Sequence, residues 1–475
     1  MVSAVLLGEQ CVLLGELIVA FCLSSCGCGD GAMTKRAALT IIVLALLFSA
    51  AAGTQFVYAE DSWVSKASIH KARSGLGVAV VNGKIYAIGG ASGAGFLATN
   101  QEYDPAANTW TSKESMPTAR SSFGIAVYQN KIYCIGGYTT GFSATGVNEV
   151  YDPATDTWET KKSMPTPTLN IKASVVNGKI YLIGGGPNGT LNQVYDPAND
   201  TWQIKASVPT AVSSYASAVV DNKIYVITSN LNQIYDAEND SWSLGAPPPL
   251  SAILGLAGAT TGVNAPKRIY VFGADAVSPF WQLSTRSFTA QSYNPKTDSW
   301  RVCASMPTGR YSASVAVVDD LLYVIGGYTI ECRTDIFTLN QIYKYSHANQ
   351  QYTPLGYGTV PPEIAVVSPE NTTYATNNVT VAFTVNKPAV WMGYSLDGRE
   401  TVNVTGNITL TELSNGLHNI TVYAKDKFGN TEASETISFT VAVPEHFPTT
   451  LVATAVASLA AVGVCLIVYF KKLNH

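Results

Sequence analysis

One ten-residue pattern returns five times in the middle of this chain, and no other feature narrows its folding options as far. QEYDPAANTW ends at Trp110, EVYDPATDTW at Trp158, QVYDPANDTW at Trp202, QIYDAENDSW at Trp242 and QSYNPKTDSW at Trp300. A single copy such as QVYDPANDTW, with two aromatic rings and the carboxylates Asp196 and Asp200, would look like a site. Five copies look like scaffold. A second pattern precedes each and occurs a sixth time: KIYAIGG, KIYCIGG, KIYLIGG, KIYVITS, RIYVFGA and LLYVIGG, with tyrosines at 86, 133, 181, 225, 270 and 323. Repeats at such intervals are supersecondary units that bury their apolar faces only against one another.

Each unit begins with an apolar strand such as GVAVV, turns at Val81-Asn82-Gly83-Lys84 and returns as KIYAIGG. Asn-Gly supplies the positive φ values of a two-residue hairpin turn. The double glycine permits close backbone approach where the second strand ends. A third strand ends at the pattern Tyr, Asp-Pro starts a turn, and Trp opens a fourth strand. The patterns of residues 60–357 resemble those of kelch-repeat β-propellers, and the resemblance implies a six-bladed ring with aromatic side chains between the blades. A ring needs closure, because an open one leaves sheet edges unpaired. Asp61-Ser62-Trp63 repeats the end of the Tyr/Trp pattern before any blade has begun, so it is expected to supply the outer strand of blade six. The alternative is local closure by Tyr345 and Tyr352, also seven apart.

From Pro361 to Val443 the repeats stop and short alternating strands take over, as at Val379, Val381, Phe383 and Val385. YSLDG and GLHNITVYAKDKFGN resemble the Ig-like modules of prokaryotic surface proteins, which implies a small β-sandwich over 363–443 after a linker at 358–362. A spacer is the natural role for such a module.

The ends suggest export and anchoring. Thr34-Lys35-Arg36, an apolar run and Val57-Tyr58-Ala59 make residues 33–59 a secretory signal, with Met33 as the biological start. Residues 1–32 are then a non-native or unstructured extension. A juxtamembrane segment at 444–450, an apolar run at 451–470 and a tail at 471–475 carrying Lys471-Lys472 predict one transmembrane helix. The localisation expected is a single-pass membrane protein with its bulk extracellular. VPEHFP resembles the PEF-type sorting signals of archaeal surface proteins, which implies processing there. The fold class expected is therefore all-β: a six-bladed kelch propeller, then an Ig-like sandwich, with a signal peptide and one C-terminal transmembrane helix.

The formal net charge of -4 gives no basic excess for a nucleic-acid partner. Of eight cysteines only Cys134, Cys303 and Cys332 fall in the body, so disulfides are not the main staple; Cys303 and Cys332 either pair or are unrelated thiols. Eight Asn-x-Ser/Thr sequons, at Asn188, Asn199, Asn239, Asn371, Asn378, Asn403, Asn407 and Asn419, are glycan acceptors in a cell with the machinery.

Function is expected on the face carrying the loops after Gly-Gly and the links between blades, because loop length varies there. Phe280 and Trp281 lie in its longest loop. The links carry Arg73, Arg120 and Arg310 in blades one, two and six, where Thr168 and Val212 stand in blades three and four. The resemblance implies a ligand face of Arg73, Ser74, Arg120, Ser121, Arg310 and Ser312, with Tyr138 and Tyr328, suited to a carboxylate. The opposing reading has each Arg bonding local carbonyls. No metal or catalytic constellation is apparent, and no cofactor is expected. The function expected is binding or adhesion toward an extracellular protein or carbohydrate, with a mutarotase-like sugar enzyme as the alternative.

Overall fold

The computed structural model describes residues 59–473 apart from 142, 187–188, 251, 276–287, 336–337 and 445–448. The predicted signal segment at 33–59 lies, but for its last residue, outside the described residues, as does the extension before it.

The repeats form six four-stranded antiparallel sheets. Blade one is built from Gly77–Val81, Lys84–Ile88, Asn100–Asp104 and Thr109–Lys113. In its first hairpin Asn82 and Gly83 take φ of 49° and 72°, the left-handed pair that the turn demands. Blades two to five follow the same order along the chain. Blade six does not: its inner strands Ser314–Val318 and Leu321–Ile325 are followed by Asn349–Thr353, and the outer strand is Ser62–Lys66 from the other end of the chain. Trp63 lies opposite Tyr352 and Lys66 opposite Asn349. Closure is therefore by the N-terminal strand. Tyr345 sits instead in a projecting hairpin, Tyr328–Asp335 with Thr338–Tyr345.

Six apolar clusters fill the spaces between neighbouring blades. Val78, Ile85, Ala87 and Tyr103 of blade one pack with Ala316, Leu321, Tyr323 and Ile325 of blade six, so the closing interface is as well filled as the rest. The ten-residue pattern fastens the rim. Tyr195 donates to Asp200 Oδ1 at 2.6 Å, and the same carboxylate accepts the backbone N–H of Lys162, in the preceding link, at 2.9 Å. Trp202 Nε1 donates to the Lys162 carbonyl at 2.9 Å. Asp156, Asp240 and Asp298 repeat this with Glu114, Ala206 and Ala246, and Asn108 does so with Ala67. At the closure Asp61 accepts from Tyr352 and from Ala304 N, while Trp63 Nε1 donates to Ala304 O. All six of these Asp/Asn residues are left-handed, with φ between 47° and 56°. Near the axis the second glycine of one blade donates to the next link: Gly90 to Arg120, Gly137 to Thr168, Gly185 to Val212 and, across the closure, Gly327 to Arg73. A Cβ on Gly137 would stand 2.6 Å from the Ser121 carbonyl, hence the glycine.

Residues 364–441 form two further sheets, one of three strands and one of six, around a core that includes Val381, Ile420, Val422 and Phe439. They meet the propeller through a polar joint. Lys387 Nζ pairs with Asp426 at 3.0 Å, both being buried, and also donates to the Val360 carbonyl; Asn430 Nδ2 donates to Gly358 O at 2.7 Å. The Tyr357 and Phe428 rings meet edge to face at 5.3 Å.

The expectation of a membrane span is corrected. The C-terminal helix is Thr449–Leu473. Among the described residues no helix is long and apolar enough to cross a membrane. Cys134 and Cys303 are free and buried, so Cys303 makes no disulfide.

Candidate functional site

The three link arginines do not form an arc open to a ligand. Arg73, Arg120 and Arg310 are 0%, 0% and 1% exposed. Each reaches back into its own blade: Arg73 Nη2 to Ala87 O and Gln101 Oε1, both at 3.0 Å; Arg310 Nη2 to Val324 O at 3.0 Å with Nη1 to Gln350 Oε1 at 2.7 Å. Arg120 Nη2 bonds Cys134 O at 2.8 Å, and Nη1 pairs with Glu149 at 3.0 Å. Where Arg is missing, the glutamine at the same place in the third strand holds the link directly. Gln193 bonds Thr166 N and O, Gln233 bonds Thr210 N and O, and Gln291 bonds Leu250 N and O. Arg plus Gln, Arg plus Glu and Gln alone are thus three ways of fastening one link. Burial pushes Arg73 and Arg310 down to about 10, which still leaves both charged at neutral pH.

The remaining predicted residues separate. Ser74 and Ser121 are buried in backbone bridges to Ala91 and Tyr138. Tyr138 is half-buried and lies in parallel offset against Phe96, ring centres 6.5 Å apart. Ser312 and Tyr328 do line an opening, and Phe280 and Trp281 lie outside the described residues. Of the sequons, Asn188 is likewise outside them. Asn199 and Asn239 are exposed in rim turns, Asn371 and Asn378 are exposed, and Asn403 and Asn407 accept hydrogen bonds from Trp391 and Phe383; Asn419 is half-buried.

The opening is the axial channel. At the link face it widens to a cavity of about 200 Å³, bordered by the link residues Gly75, Ser122, Asn170, Ser213 and Ser312 together with Tyr328. A second cavity of about 200 Å³ adjoins it, and Leu76, Phe123, Lys172 and Ser314 border both. One position of the innermost strand, opposite the residue two beyond the tyrosine of the second pattern, is equivalent in every blade: Gly77, Gly124, Lys172, Ala216, Ala257 and Ser314. Five are small and one is a lysine. Lys172 has no ion-pair or side-chain hydrogen-bond partner among the described residues, only a backbone bond from its N–H to Tyr215 Oη at 2.9 Å. Part of its surface is open although protein surrounds it, so what it faces is the channel. That burial lowers its pKa from the ordinary lysine value. Sequence reasoning passed over Lys172; its departure from an otherwise small-residue series was the available signal. Among the described residues no group of His, Cys, Asp and Glu could hold a metal ion.

Comparison with known proteins bears on the repeats. The model of the KLHDC2/KLHL20/DRC7 Kelch-repeats domain matches residues 60–229, and the Kelch motif matches 309–356. Halomucin from Haloquadratum walsbyi is 29% identical over 194 residues, 37% of this chain and 2% of that protein. Kelch-like protein terF from Aspergillus terreus is 35% identical over 102 residues, 20% of this chain and 22% of the relative. Human Kelch-like protein 15 is 39% identical over 66 residues, 13% and 10% respectively. The chain therefore spans less than a quarter of each of these relatives. A solved structure, "Structure of YjhT", aligns with 60% of this chain and 96% of that one at 15% identity and a TM-score of 0.47. The ring described above is a β-propeller that carries kelch repeats.

Proposed function

We propose that this chain is a protein-interaction module whose ligand seats on the link face of the propeller, over the mouth of the axial channel. One observation carries the reading: the rim is fastened by the same contacts six times over, whereas the mouth is only partly alike, serine in three links, glycine and asparagine in two others, Lys172 in one blade and Tyr328 in another. A rigid ring with non-equivalent residues at one opening is a scaffold for recognition. In this reading the second module is an Ig-like spacer, and its joint at Lys387, Asp426 and Asn430 fixes the direction in which the mouth points. A carbohydrate ligand, or turnover of a sugar, is the competing outcome.

The test is a screen of the purified full-length chain against protein and glycan arrays, repeated with two variants. Ser213→Trp puts bulk at the mouth, and Thr155→Trp puts the same bulk on an exposed turn at the other face. Loss of a protein ligand of about tenfold or more in the first, with the second unchanged, is the expected result. Equal affinity in both variants, binding to glycans alone, or sugar anomerisation would overturn the reading.

A further inference from the structure

We propose that the axial channel is an anion site in which Lys172 Nζ is the counter-charge for a single carboxylate entering from the link face. The inference goes beyond the protein-binding reading and does not depend on it.

The interior near this face is unbalanced in charge. Arg73, Arg120, Arg310 and Lys172 bring four cations, and among the described residues the only buried carboxylate bonded to any of them is Glu149, on Arg120. Arg73 and Arg310 have neutral oxygens as partners. Among the described residues neither cavity is bordered by an aspartate or glutamate, and Lys172 is the one basic residue on either. A carboxylate placed there meets an ammonium with three donors in surroundings of low polarity, where charge-assisted hydrogen bonds are strongest. Ser122 and Ser312 border the same cavity and add hydroxyl donors. Lysine lets the position serve as a compact point charge, which suits a narrow channel better than a planar guanidinium does. A purely structural role would call for a partner or a small side chain, as in the five equivalent positions. An unpaired ammonium facing a cavity destabilises the empty ring, and a bound anion removes that cost. The anion has two sources with one chemistry: a small free carboxylate, or an acidic side chain presented by a protein.

The experiment follows acetylation of Lys172 in the full chain by N-hydroxysuccinimidyl acetate, read by peptide mass spectrometry, with exposed Lys71 as internal reference. Succinate, neutral succinamide, acetyl-Gly-Glu-Gly-amide and its Gln counterpart are the probes, at constant ionic strength. Saturating carboxylate is expected to slow acetylation at Lys172, but not at Lys71, by about tenfold, and neither neutral probe should do so. In parallel the carboxylate should raise the melting temperature of the native chain and of Lys172→Arg, but not of Lys172→Met. Protection by succinate and the Glu peptide alike identifies a free small anion as sufficient. Protection by the Glu peptide alone identifies a presented side chain. No protection by either, or equal protection by succinamide, overturns the proposal and leaves the array result untouched.

Discussion

The rim and the mouth of this propeller are made by the same repeat and behave as opposites. At the rim an aspartate or asparagine in a left-handed turn joins a tyrosine, a link N–H and, through the neighbouring tryptophan, a link carbonyl, six times with little variation. At the mouth the links present Gly75, Ser122, Asn170, Ser213 and Ser312, blade six adds Tyr328, and blade three inserts a lysine. Contacts that repeat are those that the fold requires of every blade. Residues that differ are free to serve one ligand, and Lys172 is the sharpest case.

The largest effect expected from breaking the rim comes at the closure. Removing residues 60–68 deletes the five-residue outer strand of blade six and with it both side-chain hydrogen bonds of Asp61 and the Trp63 indole bond. Thermal unfolding should fall by roughly 10 °C or more, the scale of several kcal/mol in a domain of this size. An unchanged melting temperature would mean that the ring stays shut without its N-terminal strand.

A smaller but sharper test uses the link fasteners. Arg120→Val alone leaves the buried Glu149 carboxylate with its Thr118 hydrogen bonds but no counter-charge, and should cost about 3–5 kcal/mol in denaturant unfolding. Arg120→Val with Glu149→Gln converts the pair to the Val212 and Gln233 arrangement of blade four, where glutamine alone holds the link. Most of the loss should return, to within about 1 kcal/mol. If the double variant is no better than the single one, the blades do not share interchangeable fasteners.

The smallest effect concerns acid. The Tyr195 hydroxyl and then the Lys162 N–H hold Asp200 below the usual carboxylate range, outweighing its burial, and Tyr151 and Tyr293 likewise lower Asp156 and Asp298. A folded-state pKa below the unfolded one gives stability that is complete above the unfolded value, about 3.9, and is lost as pH falls through the folded one. Asn108 fills the same place in blade one and does not titrate. Asp200→Asn should therefore lessen the loss of melting temperature between neutral pH and acid, and Asn108→Asp should increase it. Identical slopes in both variants would show that the rim carboxylates do not set the acid limit.

The rim was legible because repetition itself argues for scaffold: Tyr, Asp and Trp at fixed spacing, with a stray Asp61-Ser62-Trp63 ahead of them, led to six blades and the N-terminal latch. The mouth was only half legible. The arginines drew attention by type and place, but a sequence does not say which way a side chain turns. Their partners Gln101, Glu149 and Gln350 stand 28 to 40 residues further on, inside strands that read as scaffold. Ser312 and Tyr328 border the opening, while no motif in the sequence singles out Lys172, because its outward chemistry depends on the curvature of the closed ring. The C-terminal apolar run read as a membrane span, whereas among the described residues no helix is long and apolar enough to cross a membrane.

Closure by the first strand also sets a clock. Asp61 meets Tyr352, 291 positions away. At a synthesis rate of about 5–20 residues per second, the strand waits roughly 15 to 60 seconds for its partner to be made. Until residue 304 is made its Trp63 indole lacks the Ala304 carbonyl, and through the whole interval blade six lacks its edge. Blades one to four can stack as they emerge, yet the channel acquires its last wall only at the end. Any ligand that needs the whole circumference can bind only a finished ring.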